Sequence, residues 1–291
     1  MNQSSNNDLI INFTPTGMIP TKEINPYTPI SPNEIIEEVH RAYDIGITIL
    51  HLHARDPESG KPTYKKEIYG ELIRGIRKYC PRLIICVSLS GRNFPEFEKR
   101  SEPLQLEGEL KPDMGSLTLS SLNFPISASI NSPDILQALT EEMKKRNIKP
   151  ELEAFDSGMI NYSKYLIKKG LVTPPYYYNI ILGNISNTQA NLLYSGAAIN
   201  DLPDNSYWSF GGIGSDQLVM NTFAIATLGG IRIGLEDNIW FDKKRTKPAK
   251  NTDLIERILL LAEIFERKVM TPEKCRSLLN LKSGDGEYGT N

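Results

Sequence analysis

The hydrophobic residues of this sequence follow two alternating periodicities. Short runs rich in β-branched and aromatic residues predict strands at residues 9–14, 48–55, 83–90, 114–121, 150–155, 176–182, 207–213 and 231–235. Longer segments with one apolar face predict helices at residues 31–45, 64–79, 132–146, 159–169, 188–198, 217–228 and 253–267, with further helical stretches from Glu96 and Thr271. Ser31, Pro32 and Glu34 form a capping signal for the first helix.

Strict alternation of strands and helices predicts parallel strands joined by right-handed crossovers. Eight such units are typical of a closed barrel, so we expect an α/β fold: a (β/α)8 TIM barrel forming a single domain over residues 1–291, with its core at about 9–281 and an extra C-terminal helix. An open doubly wound sheet is the competing fold, because the number of strands alone does not prove closure. Residues 282–291, rich in glycine and acidic residues, are predicted to be a disordered tail.

Composition excludes several classes of protein. Lys and Arg number 33 against 35 Asp and Glu, a balance that argues against a nucleic-acid-binding protein. No apolar run approaches the ~18 residues of a membrane span, and the polar start MNQSSNNDLI is not typical of a signal peptide. Cys80, Cys86 and Cys275 lack metal-type spacing and are predicted to be reduced, buried thiols. We therefore expect a soluble, cytoplasmic protein.

Histidine is scarce, and two of the three histidines, His51 and His53, share the phrase HLHAR. Residues two apart on a strand point to the same face, and neutral imidazoles so placed can share a divalent cation such as zinc. The alternative is a pair of structural histidines whose hydrogen bonds are satisfied inside the barrel. His40 falls within the first predicted helix, so a third ligand should be a carboxylate. A metal hydrolase that needs further histidines is excluded.

Functional residues of a barrel lie at the C-terminal ends of its strands. Glu236 follows the last predicted strand and shares a face with Arg232, and a closed barrel places this strand one strand away from His51 and His53. Glu236 is therefore the best candidate for the third metal ligand. Arg232 and Asp237 flank it, either as a general base held ionised by an arginine or as a structural ion pair at the barrel rim.

Two serines near the ends of the third and fourth predicted strands are candidates for substrate binding. The hydroxyls of Ser88 and Ser116 could bind a substrate carboxylate, or both residues could be purely structural. Neither lies in a GxSxG motif, so neither is predicted to be a hydrolase nucleophile.

Several motifs together resemble the β-keto acid cleavage enzyme family. They are Pro15-Thr16-Gly17, His51-Leu52-His53-x-Arg55-Asp56, Ser116-Leu117, Leu122-Asn123-Phe124, Pro150-Glu151-x-Glu153, Ser157-Gly158-Met159, Gly212-Ile213-Gly214 and Arg232-x-Gly234-x-Glu236-Asp237-Asn238. The resemblance runs in order from about Leu9 to Leu281. It implies a zinc-dependent barrel enzyme that converts a β-keto acid and acetyl-CoA, as co-substrate, into acetoacetate and a new acyl-CoA. It also implies a homo-oligomer, with a tetramer as the expected form.

The resemblance implies a role for each candidate residue. Zinc would be bound by His51, His53 and Glu236, and the base would be Asp237, held by Arg232. The carboxylate of the keto acid would be bound by Ser88 and by Ser116, which replaces a threonine of the family's type enzyme. Glu153 would line the pocket.

One position departs from the family's type enzyme, which acts on an amino-substituted keto acid. Two residues after Gly17 that enzyme has a glutamate suited to the substrate ammonium, whereas this chain has Ile19. Because burying an unpaired cation is costly, we expect a β-keto acid whose distal end is uncharged. Alternatives are another metal-dependent barrel lyase or aldolase, or a non-catalytic protein that binds keto acids or CoA esters. Two histidines and a carboxylate could also hold Fe(II).

Overall fold

The computed structural model describes residues 7–291, so most of the polar start used in the signal-peptide prediction lies outside the described residues. The strands of this part are β1 Ile11–Phe13, β2 Ile49–Leu52, β3 Ala54–Arg55, β4 Pro62–Thr63, β5 Ile84–Val87, β6 Met114–Thr118, β7 Leu122–Asn123, β8 Ala128–Ser129, β9 Lys149–Ala154, β10 Tyr176–Leu182, β11 Ser206–Gly212 and β12 Gly230–Ile233. The α-helices are α1 Pro32–Ile45, α2 Lys66–Arg77, α3 Phe97–Ser101, α4 Pro133–Lys145, α5 Ser157–Lys168, α6 Leu192–Asn200, α7 Asp216–Ala226, α8 Asn251–Ile264 and α9 Pro272–Leu278.

The predicted (β/α)8 barrel is confirmed. Parallel pairing joins the strands in the closed order β1-β12-β11-β10-β9-β6-β5-β2, so the open sheet is excluded. The remaining strands form two small antiparallel ribbons, β3 with β4 and β7 with β8. None of the helices formed by residues 7–291 is long and apolar enough to span a bilayer.

Local signals set most element boundaries. The capping box at Ser31 and Glu34 begins α1 as predicted, and β10 has its predicted bounds. The predicted strand at residues 48–55 instead divides into β2 and β3, because the chain leaves the barrel at His53 and pairs with β4. All three cysteines are free and buried.

The barrel interior changes from apolar to polar along its axis. At the N-terminal ends of the strands, Ile49, Ile84 and Tyr177 belong to an apolar cluster that also includes residues of α9. One inward position further along, Asn12 on β1 reaches across the barrel to Glu151 on β9. Because inward residues recur every second position of a strand, each strand presents apolar groups at the closed end and polar groups at the open end.

The C-terminal segment 282–291 corrects the prediction of a disordered tail. Its Tyr288 is only 5% exposed and lies beneath the Arg77 guanidinium, 3.2 Å from the ring centroid. The backbone N–H of Gly289 donates to Asp113 at 3.2 Å. Composition suggested disorder, but one buried aromatic ring and a buried acceptor are enough to hold this short segment against the base of the barrel.

Asp113 supplies the first testable prediction. This fully buried carboxylate accepts hydrogen bonds from Arg276, at 2.9 Å, and from Arg77, at 3.3 Å. Asp113→Ala leaves both buried cations without their carboxylate, which should lower the free energy of unfolding by about 3–5 kcal/mol in urea denaturation. The control is Glu273→Ala, which removes an exposed partner of Arg82 and should leave the midpoint unchanged. Equal midpoints for the two variants would contradict the argument.

Candidate active site

The C-terminal ends of the barrel strands open into a cavity of about 270 Å³. Its walls are largely apolar and include Ile19, Phe124, Phe155, Ile181 and Ile213. Its polar lining contains most of the residues singled out by the sequence, namely His51, His53, Ser88, Glu153, Arg232, Glu236 and Asp237. Apolar walls around convergent polar groups are typical of a small-molecule site.

Three of these residues converge as metal ligands would. The Nε2 atoms of His51 and His53 lie 3.3 Å apart, and Oε1 of Glu236 lies 3.2 Å from the His53 nitrogen and 3.9 Å from the His51 nitrogen. Ligand atoms ~2.0–2.2 Å from one tetrahedral zinc ion are separated by similar distances. The second carboxylate oxygen of Glu236 is buried and has no hydrogen-bond partner among the described residues. The donor set therefore fits a divalent cation.

The glycines of two motifs create the space for this cluster. Gly17 adopts a φ of +65°, and a Cβ there would lie 2.5 Å from Cγ of Glu236. Gly234 adopts a φ of +151°, and its Cβ would lie 2.1 Å from the carbonyl oxygen of Thr14. Any larger residue at either position would therefore displace Glu236 or the β1 end that packs beside it.

Glu151, which the sequence analysis named only within the Pro150-Glu151-x-Glu153 motif and to which no role was assigned, is also a residue of the site. Its Oε2 lies 2.6 Å from Nδ1 of His51 and accepts the Cys86 thiol at 3.3 Å, while its Oε1 accepts the Asn12 amide at 2.6 Å. A carboxylate bound to one imidazole nitrogen orients the other nitrogen towards a metal. A signal for Glu151 was available, because a carboxylate in the middle of a buried strand requires a partner.

Arg232 links the candidate metal ligands to the candidate base. Its guanidinium donates to Asp237 at 2.9 Å, to Glu236 at 2.9 Å and to Glu153 at 3.3 Å. Glu153 also accepts the hydroxyl of Thr118 at 2.6 Å. The side chain of Arg232 is almost completely buried, so this fork fixes three carboxylates in a region that water does not screen.

Burial and neighbouring charges shift the pKa of each group. Burial lowers the pKa of His51, but the charges of Glu151 and Glu236 more than offset it and raise the pKa to about 9. Burial raises the pKa of Asp237, Arg232 opposes this and Glu236 adds to it, so that its pKa is about 6. Burial also opposes ionisation of Glu236, yet His53 and Arg232 hold the pKa of this carboxyl well below its usual range. At neutral pH, a cation must therefore displace a proton from His51.

The two candidate serines are placed differently. Ser88 lines the cavity, whereas Ser116 does not: its hydroxyl accepts the Leu89 N–H at 3.1 Å. This contact orients the Ser116 hydroxyl, and binding of a carboxylate by Ser116 stays a prediction. Thr118, two residues later on the same face of β6, lines the cavity instead. His40 lies away from the cavity, with Nε2 3.2 Å from the Gly75 carbonyl oxygen.

Sequence comparisons with known proteins agree on one family, and a structural comparison shows the same fold. A sequence model described as beta-keto acid cleavage enzyme matches residues 8–281. The chain is 35% identical over 278 residues to a 3-keto-5-aminohexanoate cleavage enzyme of Acetoanaerobium sticklandii, covering 94% of this chain and 98% of that protein. It is 34% identical over 278 residues to a 3-oxoadipate:acetyl-CoA acetyltransferase of Cupriavidus necator, covering 94% and 95%. A solved complex of ObcA with oxaloacetate has the same fold, with a TM-score of 0.73, 20% identity and coverage of 87% of this chain and 67% of that one.

Proposed function

This chain belongs to the beta-keto acid cleavage enzyme family, and we propose that it condenses a β-keto acid with acetyl-CoA to give acetoacetate and a new acyl-CoA. One observation carries the proposal. A set of metal-type ligands and a buried carboxylate of raised pKa lie in one cavity and share a single arginine, Arg232. This pairing of a cation site with a base suits proton removal beside a carbonyl group.

We propose that the cation is zinc, held by His51, His53 and Glu236. The distances among the three ligand atoms, the unpartnered oxygen of Glu236 and the orientation of His51 by Glu151 support this assignment. A divalent cation at this position would act as a Lewis acid and make carbon-bound protons beside a keto group more acidic.

Asp237 is the proposed general base. Arg232 fixes its carboxylate and favours its ionised form at neutral pH, when it can remove a proton from C2 of the keto acid. C2 then bonds to the acetyl carbonyl carbon of acetyl-CoA, and the CoA thiolate that leaves attacks the keto carbon. The bond between C2 and the keto carbon breaks, which gives the acyl-CoA, and Asp237 returns the proton to C2 of acetoacetate.

The apolar walls favour a keto acid with an uncharged distal end. Ile19 lines the cavity beside Met18, and Ile126 lines it on the loop between β7 and β8. Such walls gain roughly 0.8 kcal/mol for each buried CH₂ of a substrate, and they leave an ammonium without a partner.

Self-association and location are also proposals. The helix α6 is apolar but almost entirely exposed, with Leu192 70%, Leu193 76% and Tyr194 47% exposed. Exposed apolar patches of this kind are typical of interaction surfaces, which supports the homo-oligomer, expected to be a tetramer, that the family resemblance implies. A cytoplasmic location stays a prediction.

The metal assignment can be tested by metal analysis of protein purified without added metal. We expect one zinc ion per chain in the wild type and none in His51→Ala, while His40→Ala, the control, should retain it. Because a proton on His51 competes with the cation, we also expect affinity for zinc to increase from pH 6 to pH 9 in chelator-competition titrations. Full metal content in His51→Ala would show that His51 is not a ligand. Iron instead of zinc in the wild type would overturn the assignment of the cation as zinc.

The role of Asp237 can be tested by Asp237→Asn. We expect this variant to keep its metal but to lose turnover by roughly 10²–10⁴-fold. Since only the ionised carboxylate accepts a proton, kcat/KM of the wild type should fall as pH falls below about 6, and a bound cation would move this limb lower. Asp242→Asn makes the same change at a half-buried residue that does not line the cavity, and it should leave the rate unchanged. A near-wild-type rate for Asp237→Asn would assign the base elsewhere.

Substrate preference can be tested by comparing kcat/KM for 3-oxohexanoate and 3-keto-5-aminohexanoate. We expect the wild type to favour the uncharged compound, because Ile19 offers no partner for an ammonium. The Ile19→Glu variant should shift the preference towards the amino compound. Ile24→Glu, at an exposed position outside the cavity lining, serves as the control. A wild-type preference for the amino compound would overturn the assignment.

A further inference from the structure

Arg92 differs from the other arginines that are buried or half-buried in residues 7–291. Those residues donate to carboxylates or to backbone carbonyls, as Arg276 does to Asp113 and Arg55 does to Gly17. The guanidinium of Arg92 has no hydrogen-bond acceptor and no ion-pair partner among the described residues, yet it lines the cavity. Holding a desolvated cation without a counter-charge is unfavourable.

The surroundings of Arg92 hold it in place without neutralising it. Its Cζ atom lies 3.5 Å from the ring centroid of Phe124, which in turn packs edge-on against Phe155. Its backbone N–H donates to the hydroxyl of Ser90 at 3.3 Å. Arg100 donates to the Leu89 carbonyl at 2.7 Å and so anchors the loop that carries Arg92. The guanidinium is therefore positioned by aromatic stacking, a geometry that arginine favours.

The negative charges that act on Arg92 belong to the candidate active site. Burial lowers the pKa of its guanidinium, and the carboxylates of Glu236, Asp237 and Glu153 oppose this effect from a distance. Those carboxylates already pair with Arg232. A further anion that enters the cavity would be attracted to Arg92, a guanidinium of the lining without a partner in the described part of the chain.

We propose that Arg92 binds the carboxylate of the β-keto acid, with the hydroxyl of Ser88 beside it. This inference rests on the proposed function and names the residue that holds the acid group of the substrate. A planar guanidinium matches a carboxylate with two parallel hydrogen bonds. Ser88 and Arg92 both line the cavity, whereas Ser116 does not.

A phosphate of acetyl-CoA is the competing anion. The long pantetheine arm separates the diphosphate from the thioester, so a thioester beside Asp237 leaves the phosphates outside a cavity of about 270 Å³. Arg92 lines this cavity, and the charge of Asp237 acts on its guanidinium. Its position therefore suits the small acid better than the nucleotide end of the co-substrate.

Calorimetric binding of 3-oxohexanoate to zinc-loaded protein, without acetyl-CoA, tests the proposal without turnover. We expect Arg92→Gln to weaken binding by about 10- to 100-fold, the usual effect of losing a hydrogen bond to a charged group. Arg92→Lys keeps the positive charge but loses the two parallel donors of the guanidinium, so it should bind more tightly than Arg92→Gln and more weakly than the wild type. Arg74→Gln removes an exposed arginine of α2 and should bind like the wild type.

The methyl ester of 3-oxohexanoate completes the test, because it lacks the charge. We expect it to bind the wild type weakly and to lose nothing further in Arg92→Gln. Equal losses for acid and ester would show that the substitution disturbs the cavity in general and would overturn the proposal. Unchanged binding of the acid in Arg92→Gln and Arg92→Lys would also overturn it.

Kinetic constants distinguish the carboxylate of the keto acid from the phosphates of acetyl-CoA as the anion that Arg92 binds. They also distinguish a failure of the proposed function from a failure of the role proposed for Arg92. A rise in KM for acetyl-CoA, with unchanged keto-acid binding, would assign Arg92 to the phosphates and overturn the carboxylate assignment. If the wild type converts no β-keto acid with acetyl-CoA, the proposed function fails. The calorimetric comparison of acid and ester would still decide whether Arg92 binds a carboxylate.

Discussion

The site depends on one buried cation that holds several anions together. Arg232 donates to Asp237, Glu236 and Glu153, and a fourth carboxylate, Glu151, lies behind them on His51. Carboxylates packed so closely in a water-poor region would repel one another and take up protons. One guanidinium cannot balance four such groups, so the site retains negative charge that a divalent cation would offset. Burial, together with the negative charge of Glu236, raises the pKa of Asp237 to about 6, in the range useful to a general base.

The barrel can accommodate these buried charges because the residues that stabilise the fold and the residues of the site lie at opposite ends of its axis. The closed end is an apolar cluster around Ile49, Ile84 and Tyr177, and Asp113 secures the C-terminal segment to that end. The polar groups lie at the open end, and the packing of the hydrophobic cluster at the closed end does not depend on them. Stability can therefore come from one end of the strands while the other end holds groups whose burial is unfavourable.

The sequence predicted the features that depend on the periodicity and spacing of residues, but few of those that depend on the orientation of individual side chains. The alternation of strands and helices predicted the barrel, although its closure is shown only by the strand pairing, and the two-residue spacing of His51 and His53 predicted that both rings lie at its open end. The role of Glu151 was not predicted because it depends on His51, a residue a hundred positions away. Ser116 occupies a suitable strand, but its hydroxyl points to the Leu89 N–H. The spacing of residues along a strand does not determine the direction in which such a hydroxyl points.

Overall similarity cannot choose the substrate for the same reason. One relative at 35% identity is named for a keto acid with an amino group, and another at 34% for a keto acid with a second carboxylate. Identity summed over the chain is dominated by the barrel, whereas the choice of distal group depends on a few side chains of the cavity wall. Here Ile19 provides no charge, and Arg92 provides one unpaired cation. If Arg92 binds the carboxylate that every β-keto acid carries, the described residues of the cavity wall leave no unpaired cation for a second acid, and the distal end of the substrate meets walls that are mainly apolar.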